Sequence, residues 1–165
     1  LKDPNSAGSE ADIGEQTALL LELRDVLNDA VALINEIESI RKQLGDVGGR
    51  LGDHPDADGI REAARALDDR LLAIEMRLSD QRLSGGSARQ DSIRWPRQLL
   101  AKLSSLAGYI GQTDFPPTTQ QRQVFENYKE LLDTYELQMT DVRDGDLADF
   151  NRTLADRELA GIVVP

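Results

Sequence analysis

Apolar residues recur every three or four positions along most of this chain, and no segment alternates apolar with polar over a useful length. Leu20, Leu23, Leu27, Ala30, Ile34 and Ile37 are spaced 3-4-3-4-3, with Ile13 before them and Ile40 and Leu44 continuing the stripe. Ile60, Ala64, Leu67, Leu71, Ile74 and Leu78 follow at 4-3-4-3-4. Such spacing gives each helix one apolar edge and predicts packing at a shallow angle, as in bundles and coiled coils. Two shorter stripes predict two more helices. One holds Leu99, Leu103, Leu106 and Ile110; the other holds Val124, Tyr128, Leu131, Tyr135, Met139 and Val142. Leu147, Phe150 and Leu154 mark a short last helix. The predicted fold is all-α: an antiparallel helical bundle of four main helices, the long first two forming a hairpin, plus a short C-terminal helix.

Turn and cap residues place the boundaries. Ser9 followed by Asp12 marks a helix start, and Gly45 marks its stop, giving a first helix about 50 Å long. Residues 45–59 hold Gly45, Gly48, Gly49, Gly52 and Gly59 with Pro55, five of the 13 glycines, and predict a turn. Asp56 is the expected N-cap of the second helix, with Asp58 favourable in its first turn. Ser84-Gly85-Gly86-Ser87 predicts a flexible connection, and Pro96 suits a first helical turn. Residues 113–118 end the third helix. Asp144-Gly145-Asp146 interrupts the fourth, and either aspartate is expected to cap the last. Residues 1–9 read as a linker from a preceding domain, 10–157 as the bundle, and 158–165 as an apolar C-terminal tail docked through Ile162, Val163 and Val164.

Charge narrows the partners. Lys+Arg 19 against Asp+Glu 30 leaves −11 over 165 residues, which argues against nucleic acid and anionic lipid. Absence of Cys removes disulfide scaffolds, thiolate metal sites and cysteine nucleophiles. No apolar run approaches the ~18 residues of a transmembrane segment. Leu1 in place of Met predicts a piece of a longer chain, so a signal peptide would lie outside this segment. Only residues 83–112 are net positive, with Arg89, Arg94, Arg97 and Lys102 against Asp91. Together with Trp95, the sole tryptophan, these four basic residues form the candidate interaction surface.

No constellation carries catalysis or a cofactor. The single histidine, His54, lies in the glycine-rich turn, whereas a di-iron bundle needs Glu-x-x-His on two helices. Aligned as a calcium loop, Gly59 at position 6 puts His54 at position 1 and Arg65 at position 12, so both ends fail. The glycines at 45–52 follow a helix rather than a strand and lack Gly-Lys-Ser/Thr, which excludes a phosphate loop. Carboxylate pairs such as Glu36/Glu38 and Asp68/Asp69 fall on polar helix faces, where solvation keeps them ordinary. Asn151-Arg152-Thr153 matches a glycosylation sequon but falls within a predicted helix. No catalytic residue, cofactor or metal ligand is therefore assigned.

The stretch Asp91-Ser-Ile-Arg-Trp95-Pro96-Arg-Gln-Leu99-Leu-Ala-Lys-Leu103-Ser-Ser-Leu106, Pro117-Thr118-Thr-Gln120, the opening Lys2-Asp3-Pro4 and the closing Asp146-Leu147-Ala-Asp-Phe150-Asn151-Arg-Thr-Leu154 occur in this order. Together they resemble the C-terminal helical region of bacterial BNR-repeat or sortilin-like propeller proteins described as glycosyl hydrolases. Asp3-Pro4-Asn5 departs at its third residue from the family's "DPR"-like motif. The resemblance implies a non-catalytic accessory or interaction domain, with any glycan chemistry in an absent propeller and a periplasmic or extracellular address. The implied partners are preceding domains of the same chain or another protein. The alternative reading is a free-standing helical scaffold or dimerisation module.

Overall fold

The computed structural model describes residues 5–52, 54–83 and 95–165, and is all-α, with no strand among them. The helices are α1 (Glu10–Arg50), α2 (Ala57–Leu78), α3 (Leu99–Ile110), α4 (Thr119–Asp141) and α5 (Ala148–Ala155), with a π-helical segment at Val142–Leu147. A short 3-10 turn spans Gln81–Leu83. The chain divides into two compact units, one of Leu1–Val31 and Leu78–Asp133, the other of Ala32–Arg77 and Thr134–Pro165.

The buried edge of α1 is Gln16, Leu19, Leu23, Val26, Ala30, Leu33, Ile37, Ile40, Leu44 and Val47, and it continues to Leu51. This is a 3-4 repeat, shifted by one residue at alternate positions from the expected stripe. Leu19 and Val26 take the seam while Leu20 and Leu27 are only half-buried, and at the third pair Leu33 is buried together with the expected Ile34. The helix also passes its expected stop at Gly45 and runs 41 residues. Three glycines cost about 0.5–1 kcal/mol each relative to alanine. Burying Leu44, Val47 and Leu51 contributes about 1.5–3 kcal/mol apiece, which decides for helix. The connection to α2 therefore shrinks from residues 45–59 to residues 51–56.

In the first unit, α1 starts in a reciprocal cap. The Ser9 N–H donates to Asp12 Oδ2 at 2.8 Å and the Asp12 N–H to Ser9 Oγ at 3.1 Å. Buried Gln16 donates through Nε2 to the Ile110 carbonyl at 2.6 Å and also to Thr113 O, so α1 closes the C-terminal end of α3. Gly8 lies so close to Asp114 that a Cβ would sit 2.0 Å from the Asp114 carbonyl oxygen. Leu99, Leu103, Leu106 and Ile110 are all buried, as their spacing predicts. Pro96 precedes α3 rather than sitting in its first turn, and Gln98 holds the N-cap position without a side-chain cap. Thr118 and Gln121 cap α4 reciprocally, at 2.8 and 3.1 Å.

The α4 stripe is also shifted by one residue. Phe125, Leu132, Met139 and Val142 are buried, with Tyr128 and Tyr135 half-buried between them. Expected core residue Leu131 is instead 38% exposed, and Val124 is half-buried.

In the second unit, α2 packs every residue of its expected stripe, and Ala57 extends it. At its start the Asp56 carbonyl accepts from Ile60 N–H at 3.1 Å, whereas the Asp56 carboxylate pairs with Arg157 at 2.8 Å instead of capping. His54 Nδ1 accepts from the Asp56 N–H at 3.1 Å and braces the turn. The expected break at Asp144-Gly145-Asp146 is absent, because the backbone continues as π-helix. Val142 and Leu147 are five residues apart and both buried. An α-helix would carry five residues well past one turn, and the wider π turn, bonded i to i+5, brings both to the core.

After α5 the chain closes in a Schellman arrangement, with Leu159 N–H donating to Leu154 O and Glu158 N–H to Ala155 O, each at 3.0 Å. Glu158 takes the left-handed position, φ 57°, where glycine is usual. Residues 159–165 continue beyond it without regular secondary structure, with Ile162 buried at 4% exposure and the backbones of Ile162 and Val163 hydrogen-bonded by the side-chain amides of Asn151 and Gln43.

Candidate functional site

Two clusters of charged groups meet buried positions, one in each unit. In the first unit the Asp80 carboxylate has no exposed side-chain surface, and Arg82 grips it through Nε and Nη2 at 2.8 and 2.7 Å. The Arg82 backbone N–H adds a third bond at 3.0 Å. The Arg82 hydrogen bond holds the Asp80 carboxyl below the usual carboxylate range, against the opposing effect of lost hydration. The other face of the same guanidinium stacks on Trp95, 5.1 Å from the ring centroid.

Beside this stack a groove of about 420 Å³ is floored by Leu78, Leu83 and Ala101 and rimmed by Asp80, Arg97 and Ser105. Exposed Arg97 donates to Ser105 Oγ at 3.1 Å, and Lys102 is half-buried on α3. Of the five sequence-derived surface residues, Trp95 and Arg97 flank this region. Arg89 and Arg94 lie outside the described residues. Asp80 and Arg82, which follow α2 directly, lie outside the net-positive segment 83–112 and are not among the residues expected from the sequence. The Arg82 guanidinium is taken up by Asp80 and Trp95, which leaves the apolar floor and Arg97 as the open part of this region.

In the second unit Arg41 bridges α1 to α2. Its Nε donates to Asp68 Oδ1 at 2.8 Å and its Nη1 to Glu75 Oε2 at 2.5 Å. Burial lowers the Arg41 pKa, but hydrogen bonds to Asp68 and Glu75, together with their charges, leave it raised overall. Next to this network, Gly45, Gly48 and Gly49 thin the α1 surface and open a groove of about 440 Å³ with Arg61 and Arg65 on its α2 side. Arg61 is itself paired with Asp58 at 3.1 Å. A second interhelical pair joins Arg143 to Glu36 at 2.7 Å. The sequon residue Asn151 is engaged, donating to the Ile162 carbonyl at 3.0 Å.

Among the described residues no group of three or more His, Asp and Glu side chains is gathered for a metal ion. No helix among them is long and apolar enough to cross a membrane. No protein-family model matches this chain, and comparison with curated proteins and with solved structures finds no similar protein.

Proposed function

We propose that this chain is a non-catalytic accessory or interaction domain, belonging to the C-terminus of a larger exported protein of the BNR-repeat, sortilin-like kind. The observation that carries the reading is the use made of buried charge. Glu75 and Asp80, 1% and 4% exposed, are each held by an arginine. Among the described residues no buried side-chain polar atom lacks a partner. Groups spent in this way fix helices and turns, and they leave recognition to surfaces such as the groove of Leu78, Leu83 and Ala101 with Arg97 at its rim. A protein partner or a preceding domain is the occupant, in keeping with the resemblance and with the −11 charge.

A second reading is a dimerising scaffold. It is favoured by Leu21 and Val31 on α1 and Leu131 on α4, apolar residues 46%, 41% and 38% exposed. Light scattering with small-angle X-ray scattering separates the two. A compact monomer near 18.2 kDa supports the accessory domain. A stable dimer that Leu21→Lys with Leu131→Lys dissolves supports the scaffold and defeats the first reading.

A further inference from the structure

Asn151-Arg152-Thr153 forms an N-glycosylation sequon on α5, and the asparagine carboxamide is held by the backbone of a single residue. Its Nδ2 donates to the Ile162 carbonyl at 3.0 Å, and its Oδ1 accepts the Ile162 N–H at 2.7 Å. A planar carboxamide reaches both groups of one residue only along the edge that carries Oδ1 and the Nδ2 hydrogen cis to it. Space is short there, since a Cβ on Gly161 would sit 3.0 Å from Asn151 Oδ1. Gln43 on α1 holds the next residue, donating to the Val163 carbonyl at 2.7 Å and accepting the Val163 N–H at 2.9 Å. Ile162 is buried at 4% exposure.

We propose that Asn151 is a conditional N-glycosylation site, at which a glycan on Nδ2 and docking of residues 159–165 exclude one another. Transfer from a lipid-linked oligosaccharide breaks the sugar C1–O bond, and the departing diphosphate oxygen keeps the electron pair. The Nδ2–C1 bond forms, and the displaced amide proton passes to the transferase. The product is a secondary amide, and such amides are trans, which sets the sugar opposite Cβ and therefore on the Oδ1 edge. The sugar thus replaces the hydrogen that bonds the Ile162 carbonyl and takes the space of the Ile162 backbone. Once docked, the segment withholds Asn151 from a transferase. A glycan added before docking keeps Ile162 out of its buried position. Export, on the reading proposed above, is what brings Asn151 to a transferase; the test supplies one directly, so the two readings fail separately.

The full chain is secreted through a eukaryotic endoplasmic reticulum, which modifies sequons on chains that arrive unfolded, and the glycan is trimmed to one N-acetylglucosamine. The reference is Thr153→Ala, which removes the sequon and leaves both clamps. Hydrogen exchange at the Ile162 and Val163 amides should be at least tenfold faster in the glycosylated form, with the α2 amides unchanged. Modification of Ile162→Asp alone, with the unaltered chain left bare, also supports the proposal, because it shows the docked segment withholding Asn151. Gln43→Ala with Gly161→Ala serves if Ile162→Asp does not fold. A glycosylated chain that keeps its protection at Ile162 overturns the exclusion, as does one whose α2 protection is lost as well. Absence of a glycan from the unaltered chain and from every undocked variant overturns the site.

Discussion

Arg41 on α1 donates to the carboxylate of Glu75 on α2 at 2.5 Å, and Glu75, at 1% exposure, is among the most deeply buried side chains of the chain. The charge sits at the edge of an otherwise apolar α2 seam, one residue after Ile74 and four after Leu71. Its burial is tolerated because Arg41 neutralises it while keeping a fifth of its own side chain in solvent, with Asp68 bonded to the same guanidinium.

Removing Arg41 leaves Glu75 buried without the opposite charge that this pair supplies. Arg41→Met should destabilise the second unit by about 3 kcal/mol, the cost typical of breaking a buried pair. Arg41→Met with Glu75→Leu should recover most of that loss. Urea unfolding of the two single variants and the double variant measures the coupling. A double variant as damaged as the sum of the singles would show that the pair does not act as a unit.

Gly8 is required for space rather than for its backbone angles. A methyl there meets the Asp114 carbonyl, which belongs to backbone and has little room to retreat. Gly8→Ala should cost about 1–3 kcal/mol, the range for overpacking. Hydrogen exchange should localise the opening to the contact between residues 8 and 114, with the α2 amides of the second unit unaffected.

Glu158 gives the opposite sign. A non-glycine residue at φ 57° carries a steric penalty, while its backbone N–H already serves the Schellman closure. Glu158→Gly should raise stability by about 1 kcal/mol, read as a higher melting temperature, and Glu158→Ala should give less.

Asp80 sets an acid limit on the first unit. Its folded pKa lies below the ordinary carboxylate value, so the stabilisation is complete above about pH 4 and is lost as pH falls through the folded value. Asp80→Asn should remove this contribution at neutral pH and flatten the acid side of the stability profile. The Trp95 fluorescence should change with it, because Arg82 links the carboxylate to the ring.

Much of the architecture was legible from spacing alone. The α2 and α3 edges came out residue for residue, even though Leu71 and Leu72 in α2 and Leu99 and Leu100 in α3 are adjacent apolar residues. In α1 and α4 such pairs recur along the stripe. Leu19 and Leu20, Val26 and Leu27, Leu33 and Ile34, Val124 and Phe125, and Leu131 and Leu132 are adjacent apolar pairs, so periodicity cannot choose between neighbours. Packing chose, and in α4 it put the larger Phe125 inside with Leu132. The candidate surface was legible in part, through Trp95 and Arg97. Arg82 and Asp80 were not, because charge counts do not reveal which pair turns inward.

The sequence by itself determined that this chain is helical, how many main helices it forms and which residues line α2 and α3, because those follow from local periodicity and from caps such as Ser9 with Asp12. Only the tertiary structure decided that three glycines stay helical, that Val142–Leu147 widens into a π turn, and that Gln43 and Asn151 clamp a segment distant from one of them in sequence. Each of these outcomes trades a local cost for burial or hydrogen bonds supplied by another element. Such a trade becomes visible only once those elements meet.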